Sequence, residues 1–175
     1  MKKKYLYFSM LCMIALSLCV WTGCNKDEEN DEDEKDGIEL ITSGYADLGL
    51  TSGTKWKATN EGENNARYTY TEAKNKFDKK IPSNTQYQEL IDECEWKWIE
   101  GKGFKIIGKN KKAIMMPAAG FSDCDDNVYS EGIEGFYWTS NSLGPDREYR
   151  LGFNKSGANI NYILRCYHAS VRLVQ

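Results

Sequence analysis

At 175 residues the chain is long enough for one ordinary domain with appendages, and its 41% hydrophobic and 13% aromatic content is enough for a core and favours strands. The net charge of −3 conceals three blocks: residues 1–23 hold three lysines and no acid, residues 25–36 hold eight acids and two lysines, and residues 37–175 hold eighteen of each sign. The folded part therefore lacks the bulk positive field that nucleic acid would need, and no nucleic-acid partner is expected.

In chain order, Lys2-Lys3-Lys4 precedes an apolar run over residues 5–20 that includes Leu6, Phe8, Leu11, Ile14 and Leu16. Thr22-Gly23-Cys24 follows. A charged start, a short apolar stretch and small residues before a cysteine read as a secretory signal peptide over residues 1–23. The run is short for a membrane-spanning helix, and acids follow it where a stop-transfer segment would carry Lys and Arg. Residues 24–37 then read as a solvated, self-repelling tether with too few apolar groups to fold.

Residues 38–41 suggest a first short strand. Tyr45-Ala46-Asp47-Leu48-Gly49-Leu50 and Thr54-Lys55-Trp56-Lys57-Ala58-Thr59 flank Thr51-Ser52-Gly53, a hairpin turn. Tyr68-Thr69-Tyr70 is strand-prone, and residues 71–77 fit either a short helix or a loop. Ser83 and Gln86 have the spacing of a capping box, and Tyr87, Leu90, Ile91 and Cys94 continue as a helical stripe. This is the one main helix expected. Cys94-Glu95-Trp96-Lys97-Trp98 switches to period two. Residues 104–107 and 113–116 read as strands around a basic turn, Lys109 to Lys112, itself best read as solvated. Residues 136–141, 148–153, 159–164 and 170–174 read as further strands, with Trp138 expected in the core. The pattern is α+β, with mostly antiparallel short strands.

Several blocks resemble a known family. Asp47-Leu48-Gly49-Leu50-Thr51-Ser52-Gly53 with Trp56 and Asn60, Ile81-Pro82-Ser83, Cys94-Glu95-Trp96-Lys97-Trp98, Pro117-Ala118-Ala119-Gly120, Tyr137-Trp138-Thr139-Ser140 and Ser170-Val171-Arg172-Leu173-Val174 stand in the order of the Fibrobacter succinogenes major paralogous domain. That family is common in Bacteroidetes lipoproteins. The resemblance implies a C-type-lectin-like mixed domain over residues 38–175, closed by its terminal strands, and carries no settled activity. Gly23-Cys24 similarly resembles a bacterial lipobox, with Trp21 where an aliphatic residue is usual. Lys26-Asp27-Glu28-Glu29 after it looks like the Bacteroidetes signal for export to the outer face of the outer membrane. The resemblance thus implies lipidation of Cys24, a membrane partner through that anchor, and exposure at the cell surface. Three cysteines follow Cys24. Cys94 belongs to the family's C-x-W-x-W and is expected as a buried thiol, which leaves Cys124 and Cys166 to pair in an exported, oxidising setting.

Function is less legible. His168 has Ser170 two residues on, but no carboxylate is placed by sequence to orient it. No zinc-ligand spacing or phosphate loop is present. Asp123, Asp125, Asn127, Tyr129, Glu131 and Glu134 have the oxygen spacing of a calcium loop, yet Val128 occupies the glycine position. A looser calcium site at Asp123, Asp125 and Asn127 and a plain solvated loop remain the two readings; no other cofactor is expected. A non-catalytic binding or adhesion module for a glycan or protein is the leading reading. A structural or fibre-associated surface subunit is the alternative, and a hydrolase ranks last. The expected contact face is built from loops 121–134, 141–147 and 154–159, with Asp123, Asp125, Asn127, Tyr129, Asn141, Asp146 and Arg147 facing outward.

Overall fold

The computed structural model describes residues 36–63 and 65–175. The signal peptide, Cys24 and most of the acidic tether lie outside these residues. The first strand β1 (Glu39–Leu40) is followed by the hairpin β2 (Tyr45–Asp47) and β3 (Lys55–Lys57). Helix α1 (Tyr70–Phe77), a 3₁₀ turn (Asp78–Lys80) and helix α2 (Asn84–Glu93) come next. The strands β4 (Glu95–Ile99), β5 (Gly103–Ile107) and β6 (Lys112–Pro117) precede a small hairpin, β7 (Phe121–Ser122) and β8 (Val128–Tyr129). The chain ends with three longer strands, β9 (Glu134–Ser142), β10 (Arg147–Asn154) and β11 (Gly157–Leu164).

These make a four-stranded sheet ordered β1-β6-β5-β4 and a three-stranded sheet ordered β11-β10-β9. Only β1–β6 among these pairs is parallel. The protein is α+β with mostly antiparallel strands.

The helices differ from the sequence reading. Among the described residues, two helices of similar length, α1 and α2, stand where one main helix is expected. α1 forms because Thr69 and Glu72 make a capping box of their own, which satisfies free N–H groups of the first turn. α2 starts as its sequence suggests, with Ser83 accepting from the Gln86 N–H and Gln86 accepting from that of Ser83. Its first residue also donates a backbone N–H to Asn141 Oδ1 at 2.7 Å. At the other end the Leu90 carbonyl accepts from both the Cys94 N–H at 3.3 Å and the Trp96 indole N–H at 3.0 Å.

β9 explains why Gly135-Phe136-Tyr137-Trp138-Thr139 is apolar almost throughout. Strand side chains alternate faces, and both faces of β9 are covered. Tyr137 enters one core, with Trp56, Tyr87, Leu90, Phe104, Ile106, Met116, Leu151 and Phe153. Phe136 and Trp138 enter another, with Tyr70, Ala73, Ile81, Ala169, Val171 and Leu173. Trp138 is fully buried, and its indole N–H donates to the Tyr68 carbonyl at 2.6 Å.

Residues 170–174 read as a strand in sequence but form none. The segment threads between β3 and β9 and makes only isolated bridges, Tyr137 to Ser170 and Trp56 to Val174. Its backbone groups change partner every residue or two: Ser170 N–H donates to Phe136, Val174 N–H to Lys80, and the Leu173 carbonyl accepts from Lys57. Every residue from Ala169 to Val174 is buried. An apolar, β-prone segment can thus lie extended in a core without belonging to a sheet.

Gly120, which ends Pro117-Ala118-Ala119-Gly120, has φ +67°, and a Cβ there would fall 2.1 Å from the Tyr129 carbonyl oxygen. Only glycine suits both the left-handed backbone and the close approach.

Candidate binding site

The loops expected to form one contact face lie at two ends of the three-stranded sheet. Glu148 pairs with Ser142 at one end of β10, and Asn154 pairs with Glu134 at the other. The turn at 143–146 and the turn after Asn154 are therefore separated by the length of an eight-residue strand, roughly 20 Å or more. Alternating apolar runs reveal turns but not which end of the sheet each turn occupies, so the separation of these two turns is not legible in the sequence.

The first two loops do approach each other. Cys124 is disulfide-bonded to Cys166, with Cα atoms 5.0 Å apart. Arg165, next to Cys166, donates its N–H to the Asp146 carbonyl at 2.9 Å. Behind this turn the fully buried Glu148 accepts from Leu143 N–H at 3.1 Å and Ser142 Oγ at 3.3 Å, with the Arg165 guanidinium also 3.3 Å away. Cys94 is only half-buried, and burial, reinforced by Glu93, pushes its thiol up to about 11. It is a thiol at neutral pH.

Most of the expected site residues are engaged within the fold. Asp123 Oδ1 accepts from the N–H groups of Asp125 at 2.9 Å and Asn127 at 3.0 Å. Asp123 Oδ2 accepts from Asn127 Nδ2 at 3.1 Å and from the Tyr129 hydroxyl at 3.0 Å. This is a loop tied by its own carboxylate. Of the three residues in the looser calcium reading, Asp123 already has both carboxylate oxygens engaged by hydrogen-bond donors, and no cluster of three or more His, Cys, Asp or Glu is placed for a metal among the described residues. Asn141 holds the start of α2, and Arg147 lies over the Tyr162 ring at 5.3 Å. All of these site residues except Asp123 are nevertheless exposed.

Desolvation raises the Asp123 carboxyl, but the donors of Asn127, Asp125 and Tyr129 together outweigh it and hold it below its ordinary value. A depressed folded-state pKa gives stability that is present above the unfolded value and lost as pH falls through the folded one. The tip should therefore stay ordered at pH 5 and loosen only on stronger acidification. Amide NMR shifts of Asn127 and Tyr129 followed against pH check this, and movement already complete above pH 5 would contradict it.

His168 Nε2 lies 3.4 Å from Asp126 Oδ1, a pairing invisible in sequence because the disulfide brings the two segments together. Ser170, however, is fully buried. The His168–Ser170 pair therefore offers substrate no accessible nucleophile. Lys109, in the basic turn, pairs with Glu93 at 2.8 Å.

A different surface has the character of a binding site. The face of β9, β10 and β11 opposite Tyr137, Leu151 and Phe153 holds a concavity of about 390 Å³, lined among others by Glu134, Phe136, Arg150, Gly152, Asn154 and Asn161. This falls within the roughly 300–1,000 Å³ usual for small-molecule pockets. The register sets the geometry: Phe136 stands opposite Gly152, and Arg150 opposite Asn161. Arg150 leans along its own strand and sits over Phe136, its guanidinium carbon 3.6 Å from the ring centroid. Gly152 makes room, since a Cβ there would fall 1.5 Å from Arg150 Nη1. On its far side Phe136 stacks on Phe121 at 4.7 Å and 13°. Burial lowers Arg150 to about 10 while Glu134 pulls the other way, so the group is cationic at neutral pH.

These residues escaped the sequence reading, although a signal was present. In β10, period two sets Leu151 and Phe153 on one face and Arg150, Gly152 and Asn154 on the other. In β11, Asn159 and Asn161 alternate with Ala158 and Ile160. Both strands declare one apolar and one open face.

Comparison with known proteins adds one finding. Over residues 107–174 the chain is similar to a family described as a domain of unknown function (DUF8237). That is 68 of 175 residues, and it contains every residue lining the concavity. No curated protein and no solved structure matches the chain.

Proposed function

We propose that this chain is a lipid-anchored, surface-exposed outer-membrane protein whose folded part binds a glycan or protein without chemically changing it. The observation that carries the binding half is the Arg150–Phe136 concavity: a fixed charge, polar amides and an open mouth on a rigid sheet. The address rests on Gly23-Cys24 and the acids after it. A C-type-lectin-like layout within the Fibrobacter succinogenes major paralogous domain family belongs to the same proposal. It is supported by the chain's closure, in which Lys55 and Gln175 exchange backbone hydrogen bonds.

One feature favours a second reading, a structural or fibre-associated subunit. β11 is the outer strand of its sheet and exposes Tyr162 and Leu164, and unpaired edges are templates for self-association.

A glycan array probed with the full chain, with released product assayed in parallel, separates these readings. Saccharide binding without turnover is expected. Turnover would move the protein to the hydrolases, and a blank array with concentration-dependent oligomers would favour the structural subunit.

A further inference from the structure

Arginines on this molecule mostly have partners that account for them. Arg67 pairs with Glu131, Arg165 with Glu148, and Arg172 donates to two backbone carbonyls. Arg150 is different. It is half-buried, its Nε, like those of Arg165 and Arg172, is shut off from solvent without a hydrogen-bond partner, and among the described residues its guanidinium forms no ion pair. A partly desolvated cation held only by a ring face retains most of its capacity for an anion. Because Phe136 and Gly152 fix its plane, little side-chain freedom is lost when an anion arrives.

The surrounding groups narrow the ligand. Asn154 Oδ1 already accepts from Ser156 N–H at 2.9 Å, and Asn161 Oδ1 from Tyr162 N–H at 2.8 Å. Both amides are thus left with their NH₂ groups to offer. The concavity is rich in donors, so it suits a ligand rich in acceptors. Glu134 is the single carboxylate of the lining, and it balances Arg150. A dianion would meet repulsion from Glu134, whereas one negative charge completes a neutral set and leaves Glu134 to accept from hydroxyl groups. Phe136 is covered by Arg150 on one side and Phe121 on the other, so no bare ring is left for an apolar ligand.

We propose that the open face of β9, β10 and β11 binds an acidic saccharide, a sugar bearing one carboxylate or sulfate ester, with the anion on Arg150 and hydroxyls on Glu134, Asn154 and Asn161. This rests on the binding-module reading and specifies its ligand class. A planar guanidinium matches an oxyanion through two parallel hydrogen bonds, which lysine cannot reproduce.

Titration calorimetry on the full chain with an aldobiouronic acid bearing a single carboxylate, monosulfated galactobiose and neutral galactobiose tests it. At least one acidic disaccharide should bind at least tenfold more tightly than the neutral one, and the preferred acid tells carboxylate from sulfate. Arg150→Gln should lose at least tenfold in affinity. Gly152→Ala keeps the charge but pushes the guanidinium off Phe136, and should lose a similar factor with thermal unfolding nearly unchanged. Equal affinity for the neutral sugar, or unchanged affinity in both variants, would overturn the acidic ligand and leave the binding module standing. Failure of all three sugars would overturn it too. A blank glycan array alongside would remove the glycan-binding reading as well.

Discussion

Replacing Arg172 with alanine is expected to lower the thermal midpoint by about 12 °C, taking roughly 3 °C for each kcal/mol at this chain length. Arg172 is fully buried in the segment that closes the fold. Its Nη1 donates to the Lys57 carbonyl at 2.8 Å and its Nη2 to the Met115 carbonyl at 2.5 Å. The side chain thereby ties the first hairpin, the four-stranded sheet and the closing segment together. That segment has no sheet ladder of its own, and its backbone hydrogen bonds are scattered over β3, β9 and the 3₁₀ turn. Alanine would leave both carbonyls buried without donors, at about 1–3 kcal/mol each, and open a cavity besides. The sum, about 4 kcal/mol, is a large part of the 5–15 kcal/mol that a domain ordinarily has. Arg172→Met separates the two causes, because it fills space but donates nothing; it should lose more than half as much. Calorimetric midpoints within about 3 °C of the parent for both variants would show that the guanidinium is dispensable.

Breaking the Cys124–Cys166 disulfide is the second large effect expected. The bond closes a loop of sequence separation 42, for which chain entropy gives about 4 kcal/mol, with roughly 2–4 kcal/mol usual in practice. Cys166→Ser should therefore lower the midpoint by about 6–12 °C. Both cysteines are exposed, so a reductant should reach them in the native state and reproduce the effect in the parent protein. The loss should also be local. Without the bond the tip that carries Asp123 and Asn127 is attached only by non-covalent contacts, among them Ser122–His168, Asp126–His168 and the stacking of Phe121 on Tyr167. Hydrogen exchange at residues 123–129 should quicken before global unfolding does. A midpoint indifferent to reductant would contradict this account of the loop.

What was legible in the sequence was what local chemistry decides. The Ser83–Gln86 cap and the stripe from Tyr87 to Leu90 specify α2 without help from the rest of the chain. The alternation around Trp96 and Trp98 specifies β4, and the apolar run around Trp138 gives a strand buried on both faces. α1 was legible too, had Thr69 and Glu72 been read as the capping box they form. What was not legible depends on register and on long-range docking. Residues 170–174 have strand-like composition, but their partners lie on β3, β9 and the 3₁₀ turn. The pairing of Asp126 with His168 exists because a disulfide folds one loop onto another segment. The candidate site suffered most. Asn127 and Tyr129 are exposed as their composition suggests, but the sequence does not show that they are also tied to Asp123 by hydrogen bonds. Arg150 looked like one charge in a strand, and only the pairing of β9 with β10 brings Phe136 beneath it.

The central claim is that recognition belongs to the open face of the three-stranded sheet and not to the loops. Amide shift mapping of the full chain, titrated with the saccharide that binds best on the array, tests this most directly. The account expects shifts at Glu134 and Phe136, at Arg150 and Gly152, and at Asn159 and Asn161, with residues 123–129 and 143–147 unmoved. Shifts confined to those two loops, with Arg150 and its neighbours unmoved, would contradict it.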